Sequence, residues 1–542
     1  MMKKQMVPDT YFIQEAVDLA LDNIVNRLDG NLDYQPFFWI DLKSDPPEAR
    51  HSSWDYCDMA GRYVDAIILA RQMTGNRAYA GEEAALREFL LAMCNDTDGL
   101  FYNQKAPWSS CHADMFCQSR ALMGLVSWYL LTDDEKIKRK IDGLVEGLST
   151  IAVRENDYCY YPEDCYSSNG WTSGTVLPGV RKPGYGLLQL LPLMRYYEET
   201  LDEKTISFAE KLVNYFVYHS HVINENGSFN GYLHSGGIIP TAVGVLRYGI
   251  ATNNVELISW AKRVCDWTLT QSSSFGWVPD GTESETCETC CITDMIHFMV
   301  KLAELGHHEY WGIIEKFTRN QLLENQIRDV DRIITPDAQA RSTTDVAPKL
   351  LGSFDCGSYP NRLLGFPGGV EGCCVGAGVR ALFLVWDRIV TRDSSGVYVN
   401  FNFSRSTEWV NVTSYHPYEG KITVDVHNAP TLFIRVPEWA SRDKIRITVD
   451  DAVRSPAWHG SFLRLDNLSA GQTVNVQHPL RLQESEEIIA KQRYNLQWKG
   501  DTVIEISPKG EKYPIFQREH FRGNQVPLIE REYVLPPTRI HW

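Results

Sequence analysis

Five short polar turns punctuate the first 390 or so residues, each closing one run rich in Leu, Ala and aromatics and opening another. They are ARQMTGNRAYA around Thr74, YLLTDDEKIK around Thr132, YEETLDEKTIS around Thr200, GIATNNVELIS around Thr252 and LAELGHHEYWG around Gly306. Their separations are 58, 68, 52 and 54 residues, each the length of one helical hairpin with its return loop. Self-similarity at a near-fixed period marks a repeat architecture, because a single hairpin cannot bury its own apolar face. Twelve segments with helical apolar periodicity fill the chain, near 12–28, 55–75, 80–96, 112–131, 133–150, 184–199, 203–219, 238–250, 254–270, 291–305, 307–326 and 372–391. Six hairpins closed into a ring form an (α/α)6 barrel, with inner helices apolar on both sides and outer ones amphipathic. An open solenoid of the same hairpins is the competing arrangement.

After VTRDSSG the texture changes. VYVNFNFSRSTEWVNVTSYHP, KITVDVHN, TLFIRVPEWA, KIRITVDD, SFLRLDN and QTVNVQHPL alternate apolar and polar residues, with Gly, Pro, Asn and Asp between them. Period-2 alternation with turn punctuation predicts a β-sandwich. The expected fold is therefore α+β and multidomain: an (α/α)6 barrel over 1–392, a β-sandwich over 393–485, and strands with an extended segment over 486–542 packed on the preceding domains.

A formal charge of −16 without clustered Lys and Arg argues against nucleic acid as a partner. No run of about 18 apolar residues occurs, so no membrane span is expected. The segment from Tyr11 to Val25 reads as a surface helix and not as a signal peptide, which gives a cytoplasmic expectation, although a trimmed secreted chain would look the same. The 13 cysteines are dispersed and odd in number, unlike a secreted disulfide framework. The sequence fixes no oligomeric state; a homodimer is one form compatible with it.

Two cysteine clusters carry the chemistry. SETCETCCITDM (284–295) holds Glu288 and Cys290 where a helix begins, and VEGCCVGAGVR (370–380) holds Cys373 and Cys374 at another helix start. Zinc takes thiolate, imidazole and carboxylate ligands in a tetrahedron, and these four residues would supply a Cys3Glu set from two hairpins. Buried thiols acting as small hydrophobes, or a strained vicinal disulfide, are the alternatives. Loops bearing Trp108 and His112, the tyrosines of YCYYPEDCYSSNGW, His234 and Trp277 combine aromatic platforms with polar groups, which suits a sugar ring.

These segments resemble the β-L-arabinofuranosidase-type glycoside hydrolases, over about residues 50 to 480. PWSSCHADM is similar to the PW-x-x-x-H segment of that family, ETCCITDM to its Glu-Thr-Cys motif and CCVGAGVRAL to its Cys-Cys helix start. YHPYEGKITV and LFIRVPEWA are similar to its sandwich motifs. The resemblance implies a retaining exo-glycosidase with zinc (Zn2+) held by Glu288, Cys290, Cys373 and Cys374. It also implies Cys373 as nucleophile, with a terminal L-arabinofuranose-like sugar of a plant-derived oligosaccharide or glycoside as substrate.

The chain also departs from that family. Glu-Thr-Cys occurs twice in SETCETCC; the Glu288–Cys290 register gives the better spacing to the following helix, whereas Glu285–Cys287 requires an insertion. Where the family has its acid, before a Phe-Gly pair, this chain has Ser273, and Glu285 is the expected replacement. Where a Gly-His pair is expected, Tyr185 stands, while His234 matches a later sugar-binding position. Trp108, His112, Tyr185 and His234 are thus the expected sugar-binding groups. A carbohydrate-binding homologue with purely structural zinc, and a sugar lyase or epimerase on the same barrel, are the other functional readings.

Overall fold

The computed structural model describes residues 2–172, 187–231, 234–365, 368–523, 525–536 and 540–542. Among the described residues, twelve helices, leaving aside two short ones in a connecting stretch, alternate between an outer and an inner layer. They are α1 (Ile13–Asn26), α2 (Cys57–Thr74), α3 (Ala80–Ala92), α4 (Met115–Thr132), α5 (Glu135–Ile151), α6 (Leu190–Thr200), α7 (Glu203–Asn214), α8 (Ser235–Ala251), α9 (Val255–Gln271), α10 (Thr289–Glu304), α11 (Glu309–Phe317) and α12 (Cys373–Ile389). The even-numbered helices contact one another in chain order, and α12 packs back against α2. The ring is closed, which rules out the open solenoid.

Residue pattern explains the layers. Every residue of α12 is buried, as are nearly all of α8, because an inner helix meets neighbours on all sides. On α5, burial is confined to Ile137, Ile141, Leu144, Val145, Gly147 and Leu148, one stripe facing inward. Where α2 crosses α4 the backbones nearly touch. A Cβ on Gly61 would sit 2.0 Å from the Arg120 carbonyl oxygen, and one on Gly124 would sit 2.6 Å from that of Gly61.

All six inner helices run in the same direction, so their N-termini share one mouth of the ring. The opposite end is filled by the indole of Trp542, which is 1% exposed. Its Nε1 donates to Asp65 at 2.9 Å, Arg388 donates to its main-chain oxygen at 2.7 Å, and the Arg195 guanidinium lies 4.2 Å from its ring.

Beyond α12 the chain is built of strands. One sheet orders Val390–Arg392, Val397–Val399, Thr431–Arg435, Phe462–Asp466 and Ala457–His459. The other orders Arg405–Ser406, Val410–Ser414, Lys421–Val426, Thr473–Gln477, Arg446–Val449 and Ala452–Arg454. Strand Lys421–Val426 buries every second residue, and Val424 and Val474 join Leu432 and Ile434 of the other sheet in one apolar cluster. A third sheet comprises Leu482–Ile489, Gln492–Lys499 and Thr502–Ser507. Glu315 of α11 joins helices to strands, accepting from Arg319 at 2.8 Å and also from Arg435.

Two features depart from the sequence reading. Residues Met2–Pro8 form a strand paired antiparallel with Leu528–Val534, a long-range pairing with no local signal. The stretch between α11 and α12 carries two short helices, Pro336–Arg341 and Val346–Leu350, and a strand, Gly369–Glu371, that pairs with Trp39–Asp41. No helix among the described residues is long and apolar enough to cross a membrane.

Candidate metal centre

The first turns of α10 and α12 meet at the mouth of the ring. Glu288 is the N-cap of α10 with Cys290 two residues on, and Gly372 caps α12 with Cys373 and Cys374 directly after it. The α10 start is held in place by Thr289, whose hydroxyl donates to the Asp355 carbonyl at 2.6 Å and accepts from Asn325 at 3.0 Å. Helix N-termini carry positive partial charge and favour thiolate and carboxylate.

The four side chains converge. Cys374 Sγ lies 3.8 Å from both Cys290 Sγ and Cys373 Sγ, and Glu288 Oε1 lies 3.7 Å from the sulfurs of Cys373 and Cys374. One ligand atom from each residue falls within 4.8 Å of all the others, and the set could hold a metal ion. All thirteen cysteines of the chain are free, so the vicinal pair is not a disulfide.

The electrostatics favour a cation. Hydrogen bonds from Cys373 and then Cys374, with Arg62 beside it, push the Cys290 thiol well below its ordinary range. Sharing that charge pushes Cys373 up, burial and the same neighbour push Cys374 up, and burial followed by Cys290 raises Glu288. Burial and mutual repulsion thus oppose full ionisation of the four groups by the protein alone. A divalent ion would let them ionise, so the donor set fits such an ion in chemistry as well as in spacing.

Around this core, His234 caps the start of α8, and its Nε2 lies 2.8 Å from Asp280 Oδ1 and 3.1 Å from Glu288 Oε2. The two Glu288 oxygens therefore face different partners, thiols on one side and imidazole on the other. Arg62 Nη1 lies 3.8 Å from Cys290 Sγ. Cys287 points elsewhere, accepting from the Val278 amide at 3.4 Å, which places the Glu288–Cys290 register at the cluster. Trp108 is half-buried and stacks 4.9 Å from His51; with His112 it lines a separate cavity of about 470 Å3. Tyr185 lies outside the described residues.

Glu285 is exposed on the loop before α10 and is not among the grouped donors; the following backbone pairs Cys287 with Ser358. Besides Glu288, a second carboxylate reaches the cluster: Glu371 lies 3.5 Å from Cys373 Sγ, with burial raising its pKa to about 7. Its only sequence signal was its place two residues before Cys373.

No family model and no curated protein matches the sequence. Solved structures do. A GH127 β-L-arabinofuranosidase from Geobacillus stearothermophilus T6 superposes with a TM-score of 0.62 at 12% identity, over 90% of this chain and 80% of that one. A second GH127 β-arabinofuranosidase gives 0.63 at 14% identity, over 92% and 83%. A sugar epimerase from a ruminal bacterium gives 0.52 at 11% identity, over 70% of this chain and 100% of its own. The resemblance read from the sequence motifs thus holds at the level of the fold.

Proposed function

We propose that this chain is a zinc-dependent retaining glycoside hydrolase, releasing a terminal L-arabinofuranose-like sugar from an oligosaccharide or glycoside. The carrying observation is the Cys3Glu cluster. Zinc with metal–sulfur bonds of about 2.3 Å spaces tetrahedral sulfurs about 3.8 Å apart, and Cys374 Sγ lies 3.8 Å from the sulfurs of both Cys290 and Cys373. The GH127 neighbours support the substrate class, covering 90 and 92% of this chain against 70% for the epimerase.

Glu288, Cys290, Cys373 and Cys374 would hold the zinc, which when bound keeps the sulfurs deprotonated at neutral pH. Cys373 is assigned the nucleophile's role, since it alone of the three thiols contacts both Glu288 and Glu371. Its sulfur forms a bond to the anomeric carbon as the bond to the leaving oxygen breaks, and that oxygen takes a proton from Glu371. Glu371 then accepts a proton from water, whose oxygen replaces the sulfur on the sugar with net retention. We place this proton transfer on Glu371 in preference to Glu285 because of its contact with Cys373. His234, which contacts Glu288, is assigned to the sugar at the thiol cluster, whereas Trp108 and His112 line the separate cavity.

The test is metal analysis together with turnover of aryl glycosides and plant oligosaccharides by the parent, Cys373→Ala, Glu371→Gln and Glu285→Gln chains. Loss of at least about 100-fold in the first two variants, with Glu285→Gln near parental, is expected. A metal-free native protein, or an active Cys373→Ala chain, would sink the mechanism. Sugar binding without turnover of any substrate would favour the binding-protein reading.

A further inference from the structure

The geometry points to a second zinc-class metal site, built from His112, Asp114 and Cys165. One donor atom from each lies within 4.8 Å of the other two. The scaffold is rigid. Asp114 and Cys165 are direct partners in the antiparallel pairing of Ala113–Asp114 with Cys165–Ser167, and Cys165 Sγ is 3.6 Å from Asp114 Oδ2. Asp114 Oδ1 is occupied in capping α4, accepting from the Cys117 amide at 3.1 Å, which turns Oδ2 toward Cys165. His112 Nδ1 lies 3.0 Å from the Ser110 hydroxyl, the kind of outer hydrogen bond that orients a ligating imidazole and leaves Nε2 to the metal.

The donor set is one nitrogen, one oxygen and one sulfur. Hard cations such as Mg2+ and Ca2+ avoid sulfur, whereas zinc accepts all three atom types. Three protein donors leave a fourth position, as in zinc sites that bind water or substrate. Here that position opens on the cavity of about 470 Å3 whose walls include Trp54, Trp108 and Asn103. Burial raises both Asp114 and Cys165, so without a cation the Cys165 S–H simply donates to Asp114. Binding the ion releases the Cys165 proton to solvent, and any effect of His112 on sugar binding then runs through that ion. None of these three residues belongs to the Cys3Glu set, so this site stands whether or not that one is catalytic.

Titrating the metal-free full chain with Co2+, followed by visible absorption, tests the idea on the parent protein. Saturation at two equivalents is expected. His112→Ala and Cys165→Ser should each reduce it to one while circular dichroism stays parental, and Cys290→Ser should remove the other. A chain losing an equivalent in His112→Ala but none in Cys290→Ser would uphold this site and overturn the thiol cluster as a metal centre. A single equivalent in the parent, unchanged by Cys165→Ser and His112→Ala, would overturn this site and leave a plain thiol–carboxylate hydrogen bond.

Discussion

Arg62 bridges Asp58 and Cys290: its Nε donates to Asp58 at 2.7 Å and its Nη1 lies 3.8 Å from the sulfur. All three residues are buried. Arg62→Met would leave Asp58 with Arg120 alone, at 3.8 Å. Removing one partner of a buried ion pair costs about 3–5 kcal/mol. Denaturant unfolding should show that loss, and Asp58→Asn in the same background should restore much of it.

Glu315 predicts an acid limit to stability. Burial raises its pKa, but Arg319 and Arg435 outweigh burial and hold it at about 2, below the ordinary 4.5. A depressed folded pKa adds stability that is complete above the unfolded value and lost as pH falls toward the folded one. Stability should therefore decline between about pH 4.5 and 2. Glu315→Gln should be less stable at neutral pH and flatter across that window, as read from denaturant midpoints; an unchanged slope would contradict the assignment.

The Gly61–Gly124 crossing tolerates no side chain. Gly61→Ala places a methyl group 2.0 Å from the Arg120 oxygen, a backbone atom that cannot swing aside. Overpacking of this kind costs about 1–3 kcal/mol or more, and the thermal midpoint should fall by several degrees. Gly143→Ala is the control, since its Cβ would meet nothing closer than 3.8 Å.

Trp542→Ala would empty the end of the ring opposite the thiols. Large-to-small changes at a buried Trp cost about 3–5 kcal/mol, and Asp65 would lose its indole donor as well. Trp542→Phe should recover the packing without the hydrogen bond. The difference between Trp542→Phe and the parent in urea unfolding isolates that bond, and the difference between the two variants isolates the packing.

How much of this was legible beforehand follows from how local each signal is. The twelve helices could be read because each carries its own periodicity and its own polar stop, as in LLTDDEK, where Asp134 then caps α5. The strands of Lys421–Val426 and Thr473–Gln477 announced themselves by alternation. Cys290 and Cys374 were readable as partners only because both stand in helix first turns. Glu371 was not readable: its strand is three residues long and exists by pairing with Trp39–Asp41, far away in sequence. The same holds for Trp542, whose burial depends on Asp65 and Arg195, and for Cys165, which meets Asp114 only through strand pairing.

The closure of α12 onto α2 has a consequence for how the molecule is made. The first inner helix cannot complete its contacts until the last is synthesised, some 300 residues later by the numbering of Cys57 and Cys373. Until then one flank of α2 and one of α10 stay uncovered. Helix α12 is thus the keystone of an arch. Because the keystone also delivers Cys373 and Cys374, the thiol cluster comes into being at the moment the arch locks, and capture of an ion there would report that the ring has shut.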